Sequence, residues 1–205
     1  MSMNIVGLIL AGGAGRRLGG VRKADLRLGN LALIDWVSRA LEPQCSRIVV
    51  SSGSGVVRPT PGMVCVPDAD GGIAGPTAGL LAGALWVRAN APDSLMLSVS
   101  VDTPFWPHDF AARAMEMLAG GHDCVVSAFG ERDYPTNALW RPEPLIAHLA
   151  AIAPAPRGPR IRDAQTALGA RRLDYARTHA QNPFAGVNAI GDLLALSRRL
   201  GHHSE

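Results

Sequence analysis

Short apolar segments alternate with segments of helical spacing along this chain, and that alternation constrains the fold more than any other feature. We predict strands over residues 4–10, 47–50, 63–66, 95–101, 123–128 and 138–140. We predict helices over residues 31–41, 77–88, 107–118, 142–152, 161–168 and 189–200, the third with Pro107 in its first turn. Strands joined by helices form a mostly parallel sheet with helices on both faces. The sequence therefore predicts an α/β protein with a three-layer α/β/α architecture.

The composition and charge argue against several classes of protein. A length of 205 residues suffices for one domain with a sizeable core, and a hydrophobic fraction of 47% fits a folded globular chain. A net charge of only +3 gives no reason to expect nucleic acid as a partner. The three cysteines form no CxxC pair, so we expect neither a disulfide framework nor a zinc site. Because we see no signal peptide and no apolar run long enough to span a bilayer, we expect a cytoplasmic protein without a membrane partner.

The loop after the first strand, LAGGAGRRLGGVRK at residues 10–23, combines five glycines with four cationic side chains. It is not a Walker A loop, because Ala24 follows Lys23 where Ser or Thr is needed. It is not a dinucleotide fingerprint, because Leu18 stands where the third glycine belongs. Glycine N–H groups that approach an anion closely, with cations around them, suit a triphosphate. The alternative is a basic loop exposed to solvent.

A carboxylate ends another predicted strand, in the segment SVDTPFWP at residues 100–107. In parallel sheets, ligands gather at the carboxyl ends of strands, and we expect the glycine loop, Ser51 and Asp102 at three such ends. Asp102 offers the hard oxygen ligands that Mg²⁺ prefers, and Mg²⁺ bridges to phosphate oxygens. The alternative is that Asp102 caps the helix or turn that follows it.

Five segments, in order, resemble sequences of the nucleotidyltransferases. LAGGAGRRLGGVRK is similar to their signature loop, VDTPF to their metal-binding Asp segment, and GPTAG at residues 75–79 to their GPLAG turn. GERDYPTNALW and FAGVNAIGDL resemble segments of one branch, the molybdenum cofactor guanylyltransferases, or MobA family. The resemblance runs from about Val6 to Leu194. It implies a Rossmann-like nucleotidyltransferase fold, with a single domain over residues 1–200 and a tail at residues 201–205.

That family implies the transfer of GMP from GTP to molybdenum-molybdopterin, which gives the guanine dinucleotide cofactor and pyrophosphate. The expected cofactor is Mg²⁺ on Asp102. The expected partners are GTP, molybdenum-molybdopterin, and other proteins of molybdenum cofactor biosynthesis or molybdoenzymes. The nucleotide is expected against about residues 1–105 and the acceptor against about residues 106–200. Because the attacking phosphate has a second pKa of about 6 and is largely ionised near neutral pH, no general base is required.

The resemblance also implies which residues contact the nucleotide. These are Leu10, Ala11, Gly12, Gly13, Gly15, Lys23, Ser51, Asp68 and Asp102. Four of the loop and strand-end residues are expected to be catalytic, with the cations neutralising the leaving pyrophosphate: Arg16, Arg17, Lys23 and Asp102. Asp68 is expected to bind a ribose hydroxyl or guanine donors, and the alternative for it is a local turn.

The acceptor side is expected in the second half of the chain. Its predicted residues are Asp133, Tyr134, Pro135, Thr136, Asn137, Arg160 and Asn188. Because molybdopterin is anionic, we also expect about two members of an arginine-rich patch to bind it, the patch being Arg157, Arg160, Arg162, Arg171, Arg172 and Arg177. The alternatives are arginines on solvated helix faces and, for Asn188, a helix N-cap.

Three places depart from the pattern of the family. Arg22 stands where Asp is common, residues 29–33 replace a Gly-Lys-Pro-Leu segment, and Gly186 replaces the first asparagine of an Asn-x-Asn pair. Lys23 and Asp102 are retained, so we still expect catalysis. The departures leave two alternatives open. One is nucleotidyl transfer with another base or acceptor, such as CTP to molybdopterin or a nucleotide to a phosphosugar. The other is a non-catalytic nucleotide-binding accessory protein.

Overall fold

A seven-stranded sheet forms the centre of the computed structural model, which describes residues 4–12, 21–53, 62–69, 73–151 and 160–201. The strands are β1 (Ile5–Leu10), β2 (Arg27–Leu28), β3 (Leu31–Ala32), β4 (Arg47–Ser51), β5 (Val64–Val66), β6 (Leu95–Ser100), β7 (Cys124–Phe129), β8 (Arg132–Trp140) and β9 (Arg171–Asp174). Of these, β2 and β3 form a separate two-stranded hairpin, and the other seven form the large sheet. The helices are α1 (Leu33–Leu41), α2 (Pro76–Asn90), α3 (Phe110–Leu118), α4 (Pro142–Ala151), α5 (Ile161–Ala167) and α6 (Ile190–Gly201), and a 3-10 turn covers Lys23–Asp25.

The strands of the large sheet lie in the order β5-β4-β1-β6-β8-β7-β9. Neighbouring strands are parallel except where β8 pairs with β6 and β7. β1 lies between β4 and β6, and all six of its residues are buried. Its register aligns Leu10 with Ser51 of β4 and with Ser100 of β6, so three strands end at one level. The mostly parallel sheet predicted from the alternation is confirmed.

Helices cover both faces of the sheet, because successive side chains of a strand point to opposite faces. One hydrophobic cluster joins Ile5 and Ile9 of β1 to residues of α1 and α3. A second cluster joins Leu8 of β1 to residues of α2, α4 and α5. The result is the three-layer arrangement that the sequence predicts. Within the described ranges, no helix is both long enough and apolar enough to cross a membrane.

The third predicted helix begins later than expected, at Phe110 rather than at Pro107. The position of Trp106 explains the difference. Its ring centroid lies 4.6 Å from that of Phe110 and 5.6 Å from that of Phe184, and the residue is almost fully buried. The chain therefore crosses this aromatic cluster before the helix starts. Pro76, by contrast, lies in the first turn of α2, where its missing N–H has no helical partner to lose.

β8 is three times as long as the strand predicted to end at Trp140. It covers Arg132–Trp140 and follows a tight turn in which Gly130 has a φ of 59°. Hydropathy did not reveal it because its first half is polar and lines a cleft. The short strand β9 was also missed, as was the β2–β3 hairpin, which turns at Gly29 with a φ of 62°. The first helix consequently begins at Leu33, two residues after the predicted start.

Candidate active site

The carboxyl ends of β1, β4 and β6 lie side by side. The sequence analysis expects the glycine loop, Ser51 and Asp102 at three such strand ends. Ala11 donates its N–H to the carbonyl of Ser51 at 2.8 Å, and Val101 donates its N–H to the carbonyl of Leu10 at 3.1 Å. Leu10 and Ala11 are buried, whereas Gly12 is exposed where the glycine loop begins. The other predicted residues of that loop lie outside the described residues: Gly13, Gly15, Arg16 and Arg17.

A cavity of about 380 Å³, here called the nucleotide-side cavity, opens beyond the ends of β1 and β4. It is lined by Leu10, Gly12, Ser51, Gly53, Asp68, Gly75, Pro76, Gly79, Ser100 and Thr136. Ser51 is buried and donates its hydroxyl to Asp68 Oδ1 at 2.8 Å. This bond ties Asp68 to the end of β4, so its carboxylate belongs to the cavity wall and not merely to a local turn. A carboxylate here is able to accept hydrogen bonds from hydroxyl or amine groups of a ligand.

A second cavity of about 460 Å³, here called the acceptor-side cavity, adjoins the first. It is lined by Leu10, Gly12, Lys23, Pro76, Ser100, Val101, Asp102, Thr103, Arg132, Asp133, Tyr134, Pro135, Thr136, Asn137, Arg162, Phe184, Gly186 and Asn188. Five residues line both cavities, namely Leu10, Gly12, Pro76, Ser100 and Thr136. The two cavities are therefore the two ends of one continuous cleft.

Lys23 and Asp102 meet in the acceptor-side cavity, next to Ser100, which lines both cavities. Lys23 Nζ lies 2.6 Å from Asp102 Oδ2 and also donates to Asn188 Oδ1 at 2.9 Å. The other carboxylate oxygen, Asp102 Oδ1, accepts the Ser100 hydroxyl at 2.6 Å. The turn that starts at Lys23 is anchored by the buried Ala24. Asp102 does not cap α3, because that helix begins eight residues later in the chain.

The segment before α6 is bound closely to Asp102. Val187 donates its N–H to the Asp102 carbonyl at 3.2 Å, and a Cβ placed on Gly186 would lie 3.3 Å from both Asp102 Cγ and Oδ1. Glycine at this position therefore permits a close approach to the carboxylate. The cap at this helix start comes from Asp192, whose Oδ2 accepts the N–H groups of Asn188 and Ala189 at 2.8 and 2.9 Å. The side chain of Asn188 is thus available to Lys23.

The predicted acceptor residues of β8 all line the acceptor-side cavity, but they differ in what holds them. Asn137 is buried, accepts the Ser100 N–H at 2.8 Å and donates to Thr103 Oγ1 at 3.2 Å, so it fixes both ends of the Asp102 turn. The Tyr134 ring lies 5.3 Å from that of Phe184, and the two rings form an aromatic wall. Pro135 accepts a hydrogen bond on its carbonyl, and Thr136 reaches both cavities.

The arginines of the predicted basic patch differ in their position relative to the cleft. Arg162 lines the cavity, whereas Arg160 is exposed at the start of α5, where its N–H donates to Asp163 at 3.2 Å. Arg172 donates from Nε to Asp133 Oδ1 at 2.6 Å, and this bond raises the pKa of Arg172 above its ordinary value. Arg171 and Arg177 are exposed and do not line the cleft, and Arg157 lies outside the described residues.

Two of the cleft-lining residues that the sequence analysis did not select contact predicted site residues. Ser100 supplies both a hydroxyl to Asp102 and an N–H to Asn137, although it was predicted only as part of a strand. Arg132 lines the acceptor-side cavity, with its guanidinium 5.1 Å from the centroid of the Tyr134 ring. The signal for Arg132 was present in the segment GERDYPTNALW, where it immediately precedes the five predicted acceptor residues.

The group formed by Lys23, Asp102 and Asn188 has the chemistry of a cation site. The Lys23 ammonium already lies between Asp102 Oδ2 and Asn188 Oδ1, which shows that these two oxygens stabilise positive charge. A carboxylate and an amide oxygen are hard ligands of the kind that Mg²⁺ takes, usually with phosphate oxygens and water completing its shell. The residues that the structure describes contain no cluster of three or more His, Cys, Asp or Glu ligands. The donor set therefore fits a magnesium ion shared with a phosphate and does not fit a metal held by protein alone.

The sequence is similar to proteins of known family. The sequence model of the MobA-like NTP transferase domain matches residues 7–188. A molybdenum cofactor guanylyltransferase of Cereibacter sphaeroides is 38% identical over 191 residues, which cover 93% of this chain and 94% of that protein. A molybdenum cofactor guanylyltransferase of Rhodobacter capsulatus is 36% identical over 200 residues, which cover 97% of each chain.

Solved structures of nucleotidyltransferases share the fold. Molybdopterin-guanine dinucleotide biosynthesis protein A from Archaeoglobus fulgidus superposes with a TM-score of 0.70 at 18% identity, covering 96% of this chain and 99% of the other. A 4-diphosphocytidyl-2C-methyl-D-erythritol synthase superposes with a TM-score of 0.71 at 13% identity, covering 98% and 100%. At such low identities these likenesses concern the fold alone, and they do not distinguish one nucleotide base from another.

Proposed function

Because the chain belongs to the MobA-like NTP transferase family, we propose that it transfers GMP from GTP to molybdenum-molybdopterin and releases pyrophosphate. The observation that carries the proposal is the continuous cleft, in which Lys23, Asp102 and Asn188 line the acceptor-side cavity and Asp102 bonds Ser100, a residue of both cavities. A nucleotidyl transfer needs two substrates on either side of one phosphorus atom, with cations at the leaving group. The names of the full-length relatives from Cereibacter sphaeroides and Rhodobacter capsulatus support molybdenum-molybdopterin as the acceptor and the guanylyl group as the one transferred.

In this proposal the guanosine lies in the nucleotide-side cavity. The Asp68 carboxylate, held by Ser51, accepts hydrogen bonds from ribose hydroxyls or guanine N–H groups. The triphosphate lies across the exposed Gly12 towards Lys23. Leu10 and Ala11, at the carboxyl end of β1, are proposed to contact the nucleotide, and Gly13, Gly15, Arg16 and Arg17 of the loop that follows are proposed to bind the phosphates. The nucleotide is thus held by about residues 1–105 and the acceptor by about residues 106–200.

The reaction needs charge neutralisation and alignment more than proton transfer. A terminal phosphate oxygen of molybdopterin attacks the α-phosphorus of GTP, and the bond from that phosphorus to the bridging oxygen of the β-phosphate breaks. Because the acceptor phosphate has a second pKa of about 6, it is largely a dianion near pH 7 and no base has to remove a proton. Lys23 leaves Asp102 and neutralises charge that develops on the departing pyrophosphate. Arg16 and Arg17 are proposed to do the same.

The metal of this reaction is proposed to be Mg²⁺, held by Asp102 with Asn188 beside it. When bound, it would supply a Lewis acid that stabilises negative charge on the phosphate groups. Asn137 and Ser100 hold the Asp102 turn in place. The Ser100 N–H donates to Asn137 Oδ1 at 2.8 Å, and the Ser100 hydroxyl donates to Asp102 Oδ1 at 2.6 Å. The proposed compartment is the cytoplasm, a reducing environment in which cysteines remain thiols. Further partners are proposed among other proteins of molybdenum cofactor biosynthesis and molybdoenzymes.

The test is a pyrophosphate-release assay with GTP, Mg²⁺ and molybdenum-loaded molybdopterin. We expect release that requires all three components and that falls when CTP replaces GTP. Faster release with CTP would replace guanylyl transfer by cytidylyl transfer. Tight binding of GTP by calorimetry without any release of pyrophosphate would favour the accessory-protein alternative. Release that is driven by a sugar phosphate and not by molybdopterin would favour a phosphosugar acceptor.

A further inference from the structure

We infer, on the basis of the proposed function, that Arg132 and Arg162 bind the phosphate monoester of the acceptor. Both arginines line the acceptor-side cavity, and neither lines the nucleotide-side cavity. They come from different elements, Arg132 from the start of β8 and Arg162 from α5, and so approach the cavity from separate parts of the fold. Their chemistry is that of a site for a phosphate dianion, which guanidinium groups bind through paired hydrogen bonds.

The charges that line the acceptor-side cavity show why these two arginines matter. Lys23 is balanced by Asp102 at 2.6 Å, and Asp133 is balanced by Arg172 at 2.6 Å from outside the cavity. Among the described residues, no carboxylate lies within ion-pair distance of Arg132 or Arg162. The described lining residues therefore carry a net charge of +1, which becomes +2 when Arg172, the partner of Asp133 outside the cavity, is included. A phosphate monoester carries about −1.5 to −2 at neutral pH, so it matches this surplus.

Arg132 is arranged so that its hydrogen-bonding edge remains available. Its guanidinium lies 5.1 Å from the centroid of the Tyr134 ring, in the range of a cation–π contact. An arginine that stacks on an aromatic face keeps its in-plane N–H groups for an anion. The same Tyr134 ring packs against Phe184 at 5.3 Å, which provides a flat apolar wall beside the charge. A ligand with a planar ring system and a phosphate group fits here, with its ring against the Tyr134–Phe184 wall and its phosphate beside Arg132.

Arg162 lies on α5, and the packing of that helix against β8 fixes its position at the acceptor-side cavity. Gln165 lies three residues further along α5, on the same side of the helix, and donates from its buried Nε2 to the Pro135 carbonyl at 2.9 Å. That bond fixes the helix face that carries Arg162 against the strand that carries Arg132. Arg160, two residues earlier, does not line the cavity, although the sequence analysis selected it for the acceptor.

The experiment measures binding of molybdenum-loaded molybdopterin without nucleotide, by retention on the protein and quantification of molybdenum. We expect Arg132→Ala and Arg162→Ala each to weaken retention by about tenfold, because each removes charge-assisted hydrogen bonds, and the double variant to weaken it further. Arg171→Ala is the matched control, since it removes the same charge from an exposed position of β9 outside the cleft. Arg132→Lys and Arg162→Lys should recover part of the affinity. Thermal melts confirm that each variant folds.

A second measurement separates the acceptor from the nucleotide. In the release assay, the two alanine variants should raise the KM for molybdopterin by about tenfold and leave the calorimetric affinity for GTP unchanged. The inference would be overturned if the alanine variants lost as much affinity for GTP as for molybdopterin, or if the double variant lost no affinity for molybdopterin. It would also be overturned if Arg160→Ala lost more affinity for molybdopterin than Arg162→Ala. A wild-type protein that retains no molybdopterin would overturn both this inference and its premise. A wild-type protein that retains molybdopterin through these arginines but releases no pyrophosphate would overturn the proposed transfer alone.

Discussion

Lys23 Nζ lies 2.6 Å from Asp102 Oδ2. The Lys23 ammonium group therefore forms an ion pair with the carboxylate that we propose as the ligand of Mg²⁺. Two cations at such a distance from one oxygen repel each other strongly. Lys23 therefore has to move away from Asp102 when a divalent ion binds there. The triphosphate of GTP offers the ammonium another anionic partner. Nucleotide and metal are thus expected to bind together more tightly than either binds alone.

The first prediction concerns metal binding without nucleotide. Lys23→Met removes the competing ammonium and leaves a side chain of similar length, so the nucleotide-free variant should bind Mn²⁺ more tightly than the wild type. A partly buried ion pair of this kind is worth up to about 1 kcal/mol, which corresponds to roughly a two- to fivefold change. The measurement is a titration followed by electron paramagnetic resonance of free Mn²⁺. The same variant should lose about 10²- to 10³-fold in turnover, because it lacks a charge at the leaving group.

The control for this prediction is Arg27→Met, which removes a cation from an exposed position of β2 that lies outside the cleft. Its affinity for Mn²⁺ should equal that of the wild type. Weaker Mn²⁺ binding by Lys23→Met would mean that Lys23 helps to organise the metal site instead of competing for it. Normal turnover of Lys23→Met would remove Lys23 from the proposed mechanism.

The second prediction concerns the metal dependence of turnover. Asp102→Asn keeps the shape of the side chain and removes its charge, so the Mg²⁺ concentration for half-maximal pyrophosphate release should rise by at least about tenfold. The matched control is Asp25→Asn, which removes a carboxylate from an exposed position two residues after Lys23. A Mg²⁺ dependence of Asp102→Asn that matches that of Asp25→Asn would exclude Asp102 as a ligand.

The third prediction concerns the reactivity of the three thiols. Burial raises the pKa of Cys45 to about 12, and burial together with Asp123 raises the pKa of Cys124 well above its usual range. A raised pKa leaves less thiolate, so at pH 8 only about one Cys45 side chain in ten thousand is ionised. The exposed Cys65 should therefore react with a disulfide reagent first, while the other two stay slow up to pH 9. Cys65→Ser should lose the fast phase, and three rapid equivalents in the folded wild type would contradict the partial burial of Cys45 and the full burial of Cys124.

The order of the elements and the meeting of three strand ends could be predicted because both depend on short-range pattern. β1 and β6 are nearly continuous apolar runs, and a buried parallel strand needs little else. Once β4, β1 and β6 are neighbours, the positions of Leu10, Ser51 and Ser100 follow from the register. Hydropathy therefore indicated where the glycine loop, Ser51 and Asp102 would lie relative to one another.

The partners of the site residues depend on contacts between distant parts of the chain and could not be predicted. Asn188 bonds Lys23 across 165 residues, and no local pattern encodes that distance. The first half of β8 is polar because it faces a cleft, so its strand was hidden and Arg132 with it. Arg160 immediately precedes the short helix α5 and Arg162 lies in its first turn, and packing decides which of the two reaches the cavity. The assignment of Arg160 to the acceptor therefore stays a prediction that the retention experiment tests.

The fourth prediction concerns Gly79, where α2 packs on the end of β4. A Cβ at this position would lie 2.4 Å from Ser51 Oγ, so Gly79→Ala should displace the Ser51 hydroxyl from Asp68. Overpacking costs about 1–3 kcal/mol, partly offset by the better helix propensity of alanine, so calorimetry should show a lower Tm and weaker GTP binding. Adding Ser51→Ala should recover part of the stability but not the affinity, because it removes the closest contact and also the bond that holds Asp68. Gly191→Ala in α6 is the control, because a Cβ there meets no atom within 4 Å, and it should leave the Tm and the GTP affinity equal or improved. An unchanged Tm and GTP affinity in Gly79→Ala would show that this end of the cleft is not tightly packed.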